Sequence, residues 1–163
     1  MFRSHFTHTL DNKGRVSIPA EYRVELQVDS ARPPVITKGE ECLCLYPDAY
    51  WNEYEQRIID AASFDPDGEA LMRLTIAGSS PCPVDRVGRI LIPQKLREHA
   101  KLEREVVFAG MGHFIQVWNP SLFAEDEART WARSRDLRRS LAPRMLSKGP
   151  TRLGGPEGES SSG

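Results

Sequence analysis

Two stretches of the 163-residue chain carry the same pattern, and any fold the chain adopts has to accommodate that pattern twice. The first is Asp11-Asn12-Lys13-Gly14-Arg15-Val16-Ser17-Ile18-Pro19-Ala20-Glu21-Tyr22-Arg23, and the second is Asp85-Arg86-Val87-Gly88-Arg89-Ile90-Leu91-Ile92-Pro93-Gln94-Lys95-Leu96-Arg97. At an offset of 74 residues six positions are identical: the Asp, the Gly, the Arg beside it, the Ile-Pro pair and the closing Arg. Self-similarity of this kind marks one structural plan used twice.

Each copy has a physical reading. Asp three residues before Gly suits a tight turn, because Asp bonds nearby backbone and Gly accepts a positive φ without a Cβ clash. The residues that follow alternate, so Val16 and Ile18, or Ile90 and Ile92, point to one face while Arg15 and Ser17, or Arg89 and Leu91, point to the other. Pro19 and Pro93 then stand where a helix begins, since a first-turn proline forfeits no hydrogen bond and presets φ. In the short helices that follow, Tyr22 with Leu26, and Leu96 with Ala100, share a face at i, i+4.

Around the cassettes, residues 6–10 read as a strand pairing with 15–18 across the Asp11 to Gly14 turn. A first helix is predicted over 19–28, and 31–34 is a loop. Val35–Lys38 and 42–46 form a strand pair around Gly39-Glu40-Glu41, and 105–109 with 114–118 repeat it around Gly110-Met111-Gly112. Each half closes with a helix entered through proline. One has Asp48 as N-cap and Tyr50, Tyr54, Ile58 and Ala61 on one face; the other opens at Asn119 and Pro120. A short helix over 69–77 ends at Gly78, and beyond Leu141 the Pro, Gly, Ser and charged residues read as a disordered tail. The organisation expected is a first repeat over 1–62, a linker with its short helix over 63–80, a second repeat over 81–140 and the tail over 141–163.

Composition narrows the function. A mean hydropathy of −0.48 describes a soluble chain, and no apolar run approaches the roughly 20 residues of a membrane span. No secretory signal is visible at the start, which makes the cytoplasm the expected location. Cys42, Cys44 and Cys82 lack Cys-x-x-Cys spacing and read as small buried hydrophobes, while His5, His8, His99 and His113 offer no metal-ligand spacing. No metal or cofactor is expected. Neither a dinucleotide-binding glycine pattern nor a phosphate loop occurs, and no nucleophile or carboxylate pair stands in a recognisable setting, so neither an enzyme nor a small-molecule substrate is expected. The overall charge of −1 hides a division: residues 129–152 carry +7 and residues 1–128 carry −6. Contact between the body and a nucleic acid therefore has to come from a few concentrated arginines.

Those arginines admit two readings. Arg15 and Arg89, with Lys13 and Arg86 in the same turns, form a basic ridge of a size that enters a major groove, where Arg forks onto guanine and neighbouring cations hold phosphates. Alternatively, Arg15 and Arg89 pair with Asp11, Asp85 or Glu21 and merely stabilise the turns. From the residues alone both readings stand.

Two cassettes of the form Asp-x-x-Gly-Arg-x-x-Ile-Pro, the first with Lys13 before Gly14, behind a Met1-Phe2-Arg3 start, resemble the MraZ family, the two-copy AbrB-like swapped-hairpin proteins. The likeness spans about residues 1–140. It implies an α+β fold of two tandem swapped-hairpin β-barrel halves related by pseudo-two-fold symmetry, with interleaved strands and flanking helices. It also implies that the turn contacts double-stranded DNA, through Lys13, Arg15, Arg86 and Arg89 with Arg3 as an accessory. The function implied is a nucleoid-associated transcriptional regulator that forms closed homo-oligomeric rings on short direct G-rich repeats upstream of the division and cell-wall gene cluster. The alternatives are a ring-forming assembly protein and an antitoxin-type DNA binder with another target.

Overall fold

The tight turns form where the sequence puts them, but the strands on either side of each turn go to different partners. In the computed structural model, which describes residues 1–27, 32–62 and 64–147, the order is β1 (His5–Thr9), β2 (Arg15–Ser17), α1 (Ala20–Gln27), β3 (Val35–Lys38), β4 (Leu43–Tyr46), α2 (Asp48–Ala62), α3 (Pro66–Thr75), β5 (Ser80–Pro81), β6 (Arg89–Leu91), α4 (Gln94–His99), β7 (Glu105–Gly110), β8 (Ile115–Trp118), α5 (Pro120–Ala132) and α6 (Ser134–Ser147). The fold is α+β. One sheet has six antiparallel strands in the order β1-β7-β8-β4-β3-β5, and β2 and β6 make a separate two-stranded ribbon. Among the described residues neither sheet closes into a barrel.

The hairpin expected between 6–10 and 15–18 is therefore absent. β1 pairs instead with β7, His5 opposite Ala109 and Thr9 opposite Glu105, while β2 pairs with β6. The reason is visible at Leu10, whose N–H donates to the Arg104 carbonyl at 2.7 Å and carries β1 away from its own turn. β4 likewise pairs with β8, Leu43 opposite Val117. The two repeats thus share strands, and within each only β3 with β4, or β7 with β8, pair locally.

Alternation in the strands then builds one core from both repeats. Val16, Ile18, Tyr22 and Leu26 meet Ile90, Ile92, Leu96 and Ala100, all buried, against the Val106 and Phe108 face of β7. Tyr22 is held at both ends. Its hydroxyl donates to the Arg3 and Ser4 carbonyls at 2.8 and 2.6 Å, and Phe2 and Phe6 meet its ring edge-on with centroids 5.3 Å away. The other face of the sheet, with Val107, Ala109, Cys44, Tyr46 and Trp118, is covered through Trp51 of α2. All three cysteines are buried and none forms a disulfide.

Three helical details differ from the sequence reading. α2 includes Asp48 in its first turn and buries Trp51, Ile58 and Ala62, because Trp51 meets Tyr46 at 5.7 Å while Tyr50 faces out against His113. α3 starts at Pro66, capped by Asp65 accepting from Asp67 N at 2.9 Å, and ends at Thr75, two residues short of the predicted end. α1 is described to Gln27, so the last residue of its predicted range lies outside the described residues. Residues 141–147 are helical, not the start of a tail. Pro143 removes one helix bond, yet the Leu, Ala, Arg and Met around it are good helix formers. The remainder of the predicted tail, 148–163, lies outside the described residues.

The chain divides into two compact units, Met1–Glu125 and Asp126–Gly163, and both cassettes lie in the first. No helix among the described residues is long and apolar enough to cross a membrane.

Candidate nucleic-acid interface

Asp11 builds the first turn with both carboxylate oxygens. Oδ1 accepts from the Lys13 and Arg15 amides at 2.9 Å each, and Oδ2 accepts from Arg15 Nε at 2.9 Å. The backbone closes the turn as Asp11 N donates to Arg15 O at 2.8 Å and Gly14 N to Asp11 O at 3.0 Å, with Gly14 at φ +85°. The second turn repeats this bond for bond. Asp85 Oδ1 accepts from Val87 N and Arg89 N, Oδ2 accepts from Arg89 Nε at 2.9 Å, and Gly88 sits at φ +81°.

The carboxylates respond to these donors. The Arg15 amide, ahead of its guanidinium, brings the Asp11 carboxyl down to about 2 from the ordinary 3.8, and Asp85 is lowered for the same reasons, led by the Arg89 amide. Because the folded carboxyl titrates below its unfolded value of 3.8, the turn is stabilised above that pH and loses this stabilisation as pH falls through about 2. A side-chain carbon titration of Asp11 is expected to show a midpoint near 2. A midpoint at 3.8 would mean that the turn bonds do not persist in solution.

Between the turns lies the ribbon. Val16 and Ile90 point inward and are 1% exposed, whereas Arg15, Ser17, Arg89 and Leu91 form the outer face. Arg15 lies opposite Leu91 and Ser17 opposite Arg89, so the two arginines are diagonal neighbours on one face, their Cα atoms roughly 7–8 Å apart. Each side chain is 37% exposed. Nε is held by the aspartate of its own turn, and the Nη edge of each guanidinium has no hydrogen-bond partner among the described residues. The ion pair expected under the structural reading is thus present, and it leaves the forked edge open.

Lys13 and Arg86 are exposed in their respective turns, at positions that do not correspond between the copies: Val87 stands where the first copy has Lys13. Arg3 is not brought to the turns. It lies beyond the opposite end of β1, where its backbone packs on Gly110. Two residues that the sequence reading did not assign do join the turns, Arg97 over Gly14 and Arg23 over Gly88. Their one sequence signal is that both belong to the six identities, since their place on the helices gives no hint of which turn they reach. The histidines are engaged elsewhere: His99 with the Gly39 carbonyl, and His5, His8 and His113 with Phe123, Phe108 and Tyr50.

These features define a two-copy β-ribbon protein whose acidic body concentrates arginines around two equivalent turns. The family model for the MraZ protein matches residues 1–74 and again 75–139. A transcriptional regulator MraZ from Carboxydothermus hydrogenoformans is 40% identical over 124 residues, covering 76% of this chain and 84% of the relative. One from Moorella thermoacetica is 41% identical over 126 residues, 77% and 85%, and one from Pediococcus pentosaceus is 34% identical over 142 residues, 86% and 96%. The chain belongs to the MraZ family.

Proposed function

We propose that the chain is a sequence-specific transcriptional regulator that reads double-stranded DNA through Arg15 and Arg89, with Lys13 and Arg86 on flanking phosphates. The observation that supports this most is that both open Nη edges belong to arginines on the outer face of the ribbon, each with Nε held by the aspartate of its own turn. An arginine aimed in this way loses less side-chain freedom when it forks onto guanine O6 and N7. The relatives' printed name, transcriptional regulator, agrees with it. The target we propose is short direct G-rich repeats upstream of the division and cell-wall gene cluster, and the setting is the nucleoid in the cytoplasm. Arg3, away from both turns, has at most an accessory role. The test is a gel shift comparing such a repeat duplex with a scrambled duplex of equal composition; equal binding to both would overturn sequence-specific recognition.

The cross-repeat pairing supports the further reading that the halves follow the AbrB-like swapped-hairpin plan, and that copies assemble head to tail into a closed ring. A ring would present several turns to consecutive repeats and gain avidity from weak contacts. Ile59, Leu71 and Leu74 of α2 and α3 are 41%, 45% and 60% exposed, apolar area that a neighbouring copy would cover. Light scattering at micromolar concentration is expected to show a homo-oligomer, and a monomer would count against assembly.

The second unit has a separate part. α6 exposes Arg135, Arg138, Arg139 and Arg144 with Asp136 as its one acid. These suit phosphate contacts made without reading bases. A chain ending at Ala132 is expected to show a shallower salt dependence, by about 0.9 in log-log slope for each phosphate that α6 no longer neutralises, and to keep its preference for repeat over scrambled DNA. Loss of that preference would place α6 in base recognition.

A further inference from the structure

The closing arginine of each repeat lies on the turn of the other. Arg97, on α4, donates from Nε to the Ile92 carbonyl at 3.0 Å, and its guanidinium covers Gly14 so closely that a Cβ there would stand 2.8 Å from Cζ and from Nε. Arg23, on α1, donates from Nε to the Ile18 carbonyl at 2.8 Å and covers Gly88, where a Cβ would stand 2.5 Å from Nε and 2.6 Å from Cζ. The backbone makes the same exchange. Ile92 N donates to Gly14 O at 2.9 Å, and Ile18 N to Gly88 O at 2.8 Å. Glycine at 14 and 88 thus answers two separate demands, a positive φ and a guanidinium lying where a Cβ would stand.

We infer that Arg97 and Arg23 are positioning residues that tie each reading turn to the other repeat, Arg97 setting the turn that aims Arg15 and Arg23 setting the turn that aims Arg89. The pairs that act together are therefore drawn from opposite repeats. The cause is local. Gly14 has more backbone freedom than any other residue type would have there, and it stands immediately before the arginine that reads. A flat guanidinium, fixed in orientation by its bond to Ile92, restrains that glycine. A lysine would bring the charge without the plane. The consequence for DNA rests on the reading function proposed above; the tie of each turn to the other repeat does not.

Amide hydrogen exchange on the full-length protein without DNA separates the two. In Arg97→Met, which keeps the apolar stem, the Gly14 and Arg15 amides are expected to exchange about tenfold faster while those of Gly88 and Arg89 are unchanged. Arg23→Met should give the mirror result. Faster exchange at the turn of the same repeat, or equally at both turns, would overturn that tie. Arg97→Lys is expected to stay fast, and full protection in that variant would reduce the effect to charge. Titrations with the repeat duplex at low salt then test the link to reading. Losses from Arg97→Met and Arg15→Lys are expected to combine to less than their product by about fivefold, whereas Arg97→Met and Arg89→Lys should multiply to within about twofold. A wild-type protein that does not distinguish repeat from scrambled DNA would sink the reading function, while the exchange pattern alone decides the tie between turn and opposite repeat.

Discussion

Arg15→Ala is expected to abolish preferential binding to repeat DNA while leaving the melting temperature nearly unchanged. The turn does not need the arginine side chain. Asp11 Oδ1 holds the amides of residues 13 and 15, and the bonds of Asp11 N to Arg15 O and Gly14 N to Asp11 O are backbone to backbone. What Ala removes from the fold is one solvent-exposed ion pair, a kind of interaction that adds little to stability. What it removes from the proposed complex is a fork on guanine, which would be worth roughly 1–3 kcal/mol of discrimination at each engaged turn. In a ring that loss recurs at every turn on the DNA. Arg15→Lys separates charge from shape, because Lys retains attraction to phosphate and cannot reproduce the planar fork. It is expected to bind weakly, with strong salt sensitivity and little preference for the repeats. Operator and scrambled titrations beside thermal melts decide between outcomes. A large drop in melting temperature for Arg15→Ala would make Arg15 a structural residue of the turn, and unchanged affinity in a folded variant would remove this turn from the interface.

The sequence made the turns legible because the Asp, the amides its carboxylate holds and the positive-φ glycine lie within five residues, and the alternation that buries Val16 and Ile90 follows at once. Strand partners were not legible for the opposite reason. Turn chemistry sets how the chain reverses, but nothing within residues 5–9 states that their partner lies about a hundred positions away in β7. The same gap hid Arg23 and Arg97, whose recurrence was plain while their destination depended on strand exchange. In α2 two stripes overlap at Tyr54 and Ile58, and only the packing of Trp51 on Tyr46 selects the buried one. The start of α3 is different, because its signal is local. Asp65-Pro66 is a cap followed by a first-turn proline, and the same pair of residues also suits a break in the chain.

A fragment spanning residues 1–74, the first family-model match, is expected not to fold as a monomer. Its β1, β2 and β4 all take partners from the second repeat, which leaves β3 with β4 as the one strand pair it can form alone. It also loses Ile90, Ile92, Leu96, Val106, Phe108, Ile115 and Val117 from the shared core. At about 1.5–3 kcal/mol for each buried side chain of this kind, that loss equals or exceeds the whole net stability of a typical domain, about 5–15 kcal/mol. Circular dichroism of the isolated fragment should therefore show no cooperative melt at low concentration. Mixing it with a second fragment spanning 75–147 is expected to restore one, with a midpoint that rises with concentration, because the strand exchange then occurs between chains. Self-association of 1–74 into a folded dimer is compatible with this, since pseudo-symmetry lets a second copy of β2 stand where β6 stands. A folded monomer of 1–74, shown by light scattering together with a cooperative melt, is the result that would make the repeats independent domains and the exchanged strands an incidental pairing.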